Sequence, residues 1–366
     1  MRPFVYVLAL LLAGCASTAE KSNLADDVLV TVKGTVHDAA GNGVGAAQAT
    51  LATNNPFDFG AITDVTAGVN LKGPGVRTNA NGAFTMTLRG GQTKNSYAQA
   101  QDFNLVVKAS DAPNAPFINR AVRFTTQDVT LVDFKLFDAL RSPAEGDTYP
   151  AGKITLGLTR PPDEKPDHYV LAVYFKDGND ALYNPIAQDE KATLPDYLFN
   201  GGETYDWKAT AYMQYETRFS GVHRFTTPAG GSNRLVPIKE VRDVDGKAQP
   251  LLTDAVLTSG ITLGDTLIVD LGTPQTVASV VLIGAAGGNY MIQTSGDAGD
   301  FTAPTPANVS SGGGGWLELS PAQPVQARYV KLTRKLEVSP SPSASTSPSP
   351  SASPGTFLRE VRVLKP

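Results

Sequence analysis

The sequence holds one thiol and three histidines, so few of its side chains could act as nucleophile, transition-metal ligand or proton relay near neutral pH. No histidine falls in an H-E-x-x-H arrangement, no G-x-S-x-G turn lifts a serine out of a sheet, and no P-loop carries its Lys-Ser/Thr pair. Gly284, Gly287-Gly288 and the run Gly312 to Gly315 are not followed by helical periodicity, which removes a phosphate cradle. His37 stands beside a turn without a His or Glu partner at ligand spacing and reads as structural or solvated. Asp163-Glu164 and Asp167-His168 lie in a proline-rich turn where neighbours point different ways, so they read as a solvated loop. A glycosidase carboxylate pair has no local signature, and that alternative stays open. A net charge of −4 removes the electrostatic footprint of a nucleic-acid partner.

The thiol itself is placed for a different chemistry. Cys15 follows Met1-Arg2 and the apolar stretch Phe4 to Leu12, then Ala13-Gly14, the layout of an export signal and too short to span a bilayer comfortably. Leu12-Ala13-Gly14-Cys15 resembles a bacterial lipobox. The resemblance implies cleavage before Cys15, acylation of its thiol and of the new amino terminus, and lasting attachment through several acyl chains. With Ala16 rather than an aspartate next, it also implies a place in the bacterial cell envelope, on the outer membrane if the cell has one. Residues 1–14 are then the leader and 15–27 a small, polar lipidated tether.

Beyond the tether, 35 glycines, 26 prolines and no long amphipathic helical pattern point to an all-β chain of three tandem β-sandwich modules. Val28 to Val36 alternates like a half-buried strand and runs into the turn Asp38-Ala39-Ala40-Gly41-Asn42-Gly43. Asn81-Gly82 then feeds a strand with Phe84, Met86 and Leu88 on one face. Residues 28–138 resemble the carboxypeptidase regulatory-like module, through Gly34-Thr35-Val36-His37-Asp38, Gly43-Val44 and Asn81-Gly82-Ala83-Phe84. That likeness implies a rigid sandwich without chemistry of its own. Residues 139–229 resemble a fibronectin type III-like sandwich, through Gly202 to Ala209 and His223-Arg224-Phe225-Thr226-Thr227, with Trp207 read as core because it alternates with Tyr205 and Ala209.

Residues 234–366 carry the functional argument. Thr266 to Gly272, Val277 to Ile283, Tyr290 to Asp297, Ala327 to Leu332 and Phe357 to Leu364, taken in that order, resemble the discoidin (coagulation-factor C-type, galactose-binding-like) jelly rolls. The Ser/Pro tract 339–356 has linker composition, yet the ten residues after it are too short to fold alone and apolar enough to be a strand. They should therefore pair back into the same sandwich, leaving the tract as a disordered insertion. Loop closure costs only about 0.6 kcal/mol per doubling of length.

The discoidin resemblance implies binding of carbohydrate or other surface ligands. Such sites set an aromatic face beside polar donors, for which Trp316 after its glycine run, Asn289 and Arg242 are the candidates. Trp316 has a second reading, as an inward-facing residue that starts the strand Trp316-Leu317-Glu318-Leu319. Tyr290 and Phe301 read as packing. Relatives also hold a structural calcium ion, the one cofactor implied, and Asp254, Thr258 and Glu360 partly correspond to its ligands; Ala255 replaces the usual glycine, the spacing is shortened and the following tryptophan is missing.

The expected function is a lipid-anchored, non-catalytic surface protein that binds a carbohydrate or protein ligand. The alternatives are a structural spacer, an envelope-complex subunit, or an accessory to a surface polysaccharide enzyme. Mass spectrometry of membrane-extracted protein should show a fatty-acylated Cys15 as first residue, and Cys15→Ser should release the chain into the soluble fraction; a mature chain without fatty acid would refute the anchor. Calorimetry with and without a chelator should give the same melting temperature, since the calcium pattern is degraded, whereas a chelator-dependent drop would restore the ion.

Overall fold

The computed structural model describes residues 22–53, 75–94, 102–112, 115–131, 133–137, 140–143, 146–149, 152–158, 165–175, 181–254, 257, 260–262, 266–284, 289–297, 299–310, 315–335 and 357–366. The leader, Cys15, Asp163-Glu164, Thr258 and the Ser/Pro tract lie outside these residues. Within them the chain is all β, with short 3-10 turns and no helix long and apolar enough to cross a membrane. It folds as two compact units.

The first unit comprises Met1–Ala139, Arg160–Asp167 and Ala211–Gly221. Its strand Leu29–His37 pairs antiparallel with Ala83–Arg89 and parallel with Asp128–Thr130 and Phe134–Lys135. Val30, Val32 and Val36 point into the core with Phe84, Met86 and Leu88, as the alternation requires. A Cβ at Gly34 would stand 2.7 Å from the Phe84 ring, so only glycine lets that ring cross the strand. The second layer pairs Gln48–Thr53, Asp102–Lys108 and Phe117–Arg123. Glu216–Phe219 adds to its Phe117–Arg123 edge, with the Glu216 carboxylate gripped by Arg120 and Arg218. Residues 211–221, contiguous in sequence with the 139–229 module, thus fold with the first unit.

The second unit holds the remaining sandwich and the carboxy-terminal one. In the former, Lys153–Leu158 pairs with Lys191–Pro195 and Leu140–Ser142, while Thr204–Tyr212 pairs with His223–Thr226. Trp207 is fully buried and donates its indole N–H to the Pro143 carbonyl at 3.2 Å. Phe199, Tyr205 and Phe225 meet one another in edge and stacked contacts, an apolar nucleus of the same sandwich.

The carboxy-terminal sandwich is two five-stranded antiparallel sheets. One runs Leu235–Val236, Glu360–Leu364, Ser279–Ile283, Trp316–Ser320, Asn308–Ser310; the other runs Glu240–Asp243, Thr266–Val277, Val325–Lys335, Asn289–Ser295, Thr305–Pro306. Between them lies a core of Val241, Leu267, Val269, Leu282, Tyr290, Ile292, Leu317, Leu319, Val330, Leu332, Val361 and Val363. The last strand is interior to its sheet: Leu364 pairs with both Leu235 and Ser279, and Glu360 with Ile283. Phe357–Leu358 adds a two-residue ladder with Ile261–Thr262, and Leu358 is fully buried in the same core. Deleting Phe357 to Pro366 should abolish the cooperative melting transition of this sandwich, and deleting Ser339 to Pro354 should leave it in place. Leu358→Ala should cost about 2–5 kcal/mol in chemical denaturation. Equal melting of the two truncations would contradict the assignment.

Candidate functional site

The two sheets of the carboxy-terminal sandwich differ in what lies on their outer faces. On the sheet that contains the last strand, Ser279, Val281, Ile283, Trp316, Glu360 and Arg362 alternate away from the core between the sheets and are nevertheless buried. The preceding sandwich covers them. Tyr197 donates its hydroxyl to Glu318 Oε2 at 2.5 Å, and Ser279 donates to Glu318 Oε1 at 2.6 Å. Burial and the Glu318 carboxylate both push the Tyr197 phenol far above its ordinary pKa, so it serves as a fixed neutral donor. Gly315 adopts φ +86°, and a Cβ there would lie 2.2 Å from the Leu182 carbonyl oxygen. The strand thus starts pressed against backbone of the preceding sandwich.

Arg362 is the centre of this contact. Its guanidinium is 4% exposed and donates to the Tyr197 carbonyl at 2.6 Å, the Phe199 carbonyl at 3.0 Å and Asn200 Oδ1 at 2.5 Å. Its Nε reaches Glu360 Oε1 at 2.9 Å. Burial works against the charge, but Glu360 more than offsets it and holds the Arg362 pKa above the usual arginine value. The Tyr197 and Phe199 carbonyls thereby gain a side-chain donor in place of a strand partner.

Trp316 belongs to this covered face. At 6% exposure its ring offers no surface to a sugar, which corrects the sugar-stacking reading, and it points away from the core between the sheets, which corrects the inward-facing one. The glycine run before it does not project the ring into solvent, because Gly315 is itself held against Leu182.

Asp254 and Glu360, two of the residues matched to a calcium site, do line one cleft, of about 600 Å³, together with Phe199, Asn200, Glu203 and Arg362. Calcium needs six to eight oxygens. Here Glu360 presents one buried oxygen without a partner, while its other oxygen is held by a guanidinium whose positive charge opposes a second cation. Among the described residues no three His, Cys, Asp or Glu side chains converge to hold an ion. These side chains do not fit a calcium shell.

The outer face of the other sheet is open. Register places Arg242, Ile268, Lys331 and Gln293 in one row across four strands, and Glu240, Asp270, Tyr329 and Ser295 in the next. Arg242 is half exposed and pairs along its own strand with Glu240 at 2.5 Å. Arg328 grips Asp270 with Nε at 3.1 Å and Nη2 at 3.3 Å, and Lys239 stands 3.7 Å from the same carboxylate. Burial would raise the Asp270 pKa, but Arg328 and the Gly272 N–H outweigh it and keep the carboxyl below its ordinary value, hence ionised. The Arg328 guanidinium lies 4.8 Å from the centre of the Tyr329 ring, and the Lys331 ammonium 5.6 Å from that of Phe301. Both rings are partly exposed, whereas Tyr290 is buried in the core. Arg242 is therefore on a platform of cations and rings that the sequence reading did not assemble. Its signal was present: if Val330 and Leu332 face inward, Tyr329 and Lys331 face out. Asn289 lies four residues from Gln293 at the sheet end, opposite Lys335. Arg242, Asn289 and Trp316 thus occupy three separate places and form no common site.

No protein-family model matches the sequence, and no curated protein matches it. Among solved structures, the chain is similar over part of its length to a chitosan-binding module of a chitosanase/glucanase from Paenibacillus sp. IK-5, at 22% identity over 36% of this chain and 98% of that one, with a TM-score of 0.25. It is also similar to the family 32 carbohydrate-binding module of NanJ from C. perfringens, solved with galactose, at 15% identity over 36% and 97% of the two chains and a TM-score of 0.23. A third similar structure is the corresponding module of AlyQ, solved with 4,5-unsaturated mannuronic acid, at 20% identity over 36% and 97% and a TM-score of 0.24.

Proposed function

We propose that this chain is a lipid-anchored protein of the bacterial envelope whose carboxy-terminal jelly roll binds carbohydrate, without catalysing a reaction on it. The observation that carries the reading is the open sheet face, where Tyr329 and Phe301 stand among Arg242, Arg328, Lys331 and Gln293. Sugar rings offer apolar faces edged with hydroxyls. Partly exposed aromatic rings next to nitrogen donors meet both requirements. All of these groups except Phe301 are mounted on paired strands, which fixes their spacing before ligand arrives and lowers the ordering cost of binding.

The anchor rests on the leader pattern that ends in Cys15, and the binding reading on the discoidin resemblance together with this face. The array test uses the detergent-solubilised full chain on neutral and charged glycans. Binding to at least one glycan class, lost on Tyr329→Ala with an unchanged melting temperature, is the expected result. Silence across the array, with one protein co-purifying in stoichiometric amount, would instead identify a structural subunit of an envelope complex.

A further inference from the structure

The charge on the open face singles out one class of carbohydrate. The strand rows carry Lys239, Arg242, Arg328 and Lys331 against two carboxylates, Glu240 and Asp270, a surplus of cations on a chain whose net charge is −4, with Asp297 and Asp300 in the loop before Phe301. The carboxylates do not neutralise it evenly. Glu240 is spent on Arg242 and Asp270 on Arg328 and Lys239, whereas the Lys331 ammonium has the Phe301 ring as its contact and makes no ion pair among the described residues. Both arginines are held by Nε and Nη2, which leaves the Nη1 edge of each unspent. Asp300 directly precedes Phe301 in the chain and makes no ion pair with Lys331, while Asp297 is turned into its own loop, where it accepts the N–H groups of Gly299 and Asp300.

We propose that this face binds an anionic polysaccharide, with Lys331, Arg242 and Arg328 taking its acidic groups and Tyr329 and Phe301 its ring faces. This inference rests on the carbohydrate reading above and adds the ligand class and the place on the fold. Arg242 and Lys331 share a row two strand spacings apart, about 10 Å. One extended polyanion laid across the strands therefore meets both. The pairs Glu240–Arg242 and Asp270–Arg328 act as positioning groups: each pins a long, mobile side chain flat on the sheet and points its free edge outward. The row lies on the sheet that, among the described residues, the preceding sandwich leaves uncovered.

The test measures binding of the full chain to four probes: a polyuronate, a sulfated polysaccharide, a neutral polysaccharide of similar length, and phosphatidylglycerol vesicles. Binding should favour the polyanionic glycans, weaken with added salt, and fall about ten-fold or more in the double variant Arg242→Ala/Lys331→Ala. Lys365→Ala, a cation elsewhere on the same sandwich, should leave it unchanged. Preference between the first two probes tells a carboxylate ligand from a sulfate one. Neutral-glycan binding that the double variant does not alter would overturn the inference and leave the carbohydrate reading standing. Binding to vesicles but to no polysaccharide would overturn both. If Arg242→Ala unsettles the sheet, as a lowered melting temperature would reveal, Lys331→Gln removes the unpaired charge alone and must still weaken polyanion binding several-fold.

Discussion

Arg362 carries a permanent positive charge out of water, and the rest of the second unit is arranged around satisfying it. An unpaired buried charge costs several kcal/mol, so its guanidinium persists inside only because Glu360, two carbonyls of the 196–200 turn and Asn200 supply acceptors in the right directions. Such a cluster adds little net stability compared with a well-packed apolar one, but it is intolerant of displacement: shift the last strand by one residue and the guanidinium leaves its acceptors for the core of the sandwich. The register of Glu360–Leu364 and the seating of the preceding sandwich are therefore set together. The strand closes its own sheet through Leu364, Val363 and Val361 and fixes the neighbouring module through Arg362.

That double duty decides which surface of the carboxy-terminal sandwich is free. Covering the sheet that holds the last strand withdraws Trp316 from solvent and leaves the outer face of the opposite sheet exposed. A sandwich has two outer faces of similar backbone geometry, so their side chains distinguish them. The covered one is rich in Val281, Ile283 and Trp316 with a few paired polar groups; the open one is a ladder of Arg, Lys, Glu and Asp broken by two rings.

The fold was largely legible because period-two alternation identifies strands and their buried side independently of what they pack against. Phe84, Met86 and Leu88, and Trp207 with Tyr205 and Ala209, follow from this alternation and are buried; the strand after the Ser/Pro tract follows from its apolar content. The site was not legible, for a reason of the same kind. Alternation assigns Glu360 and Arg362 to the outer face and so to water; that this face is covered is a fact about a second module. One local clue existed. Ser279-Val280-Val281-Leu282-Ile283 is apolar on both sides of the strand, the pattern of a strand buried on both faces, and the outward members of its neighbours should share that burial. Trp316, opposite Ile283, follows from it. The segment 211–221 was hidden differently: a hairpin contiguous with one module pairs with the edge of another, and edge pairing leaves no mark on composition or period.

The calcium question shows how one substitution of charge type changes what a site can hold. A carboxylate at the position of Glu360 with water or backbone around it suits a hard cation; the same carboxylate two residues from a buried arginine, on the same side of the strand, is half consumed by it. The guanidinium draws the last strand and the carbonyls of Tyr197 and Phe199 together, and Glu360 keeps one buried oxygen without a partner in the cleft beside them. The proposed anionic ligand would instead meet the sheet whose cations are pinned at the surface, where it could complete their coordination without first displacing anything buried.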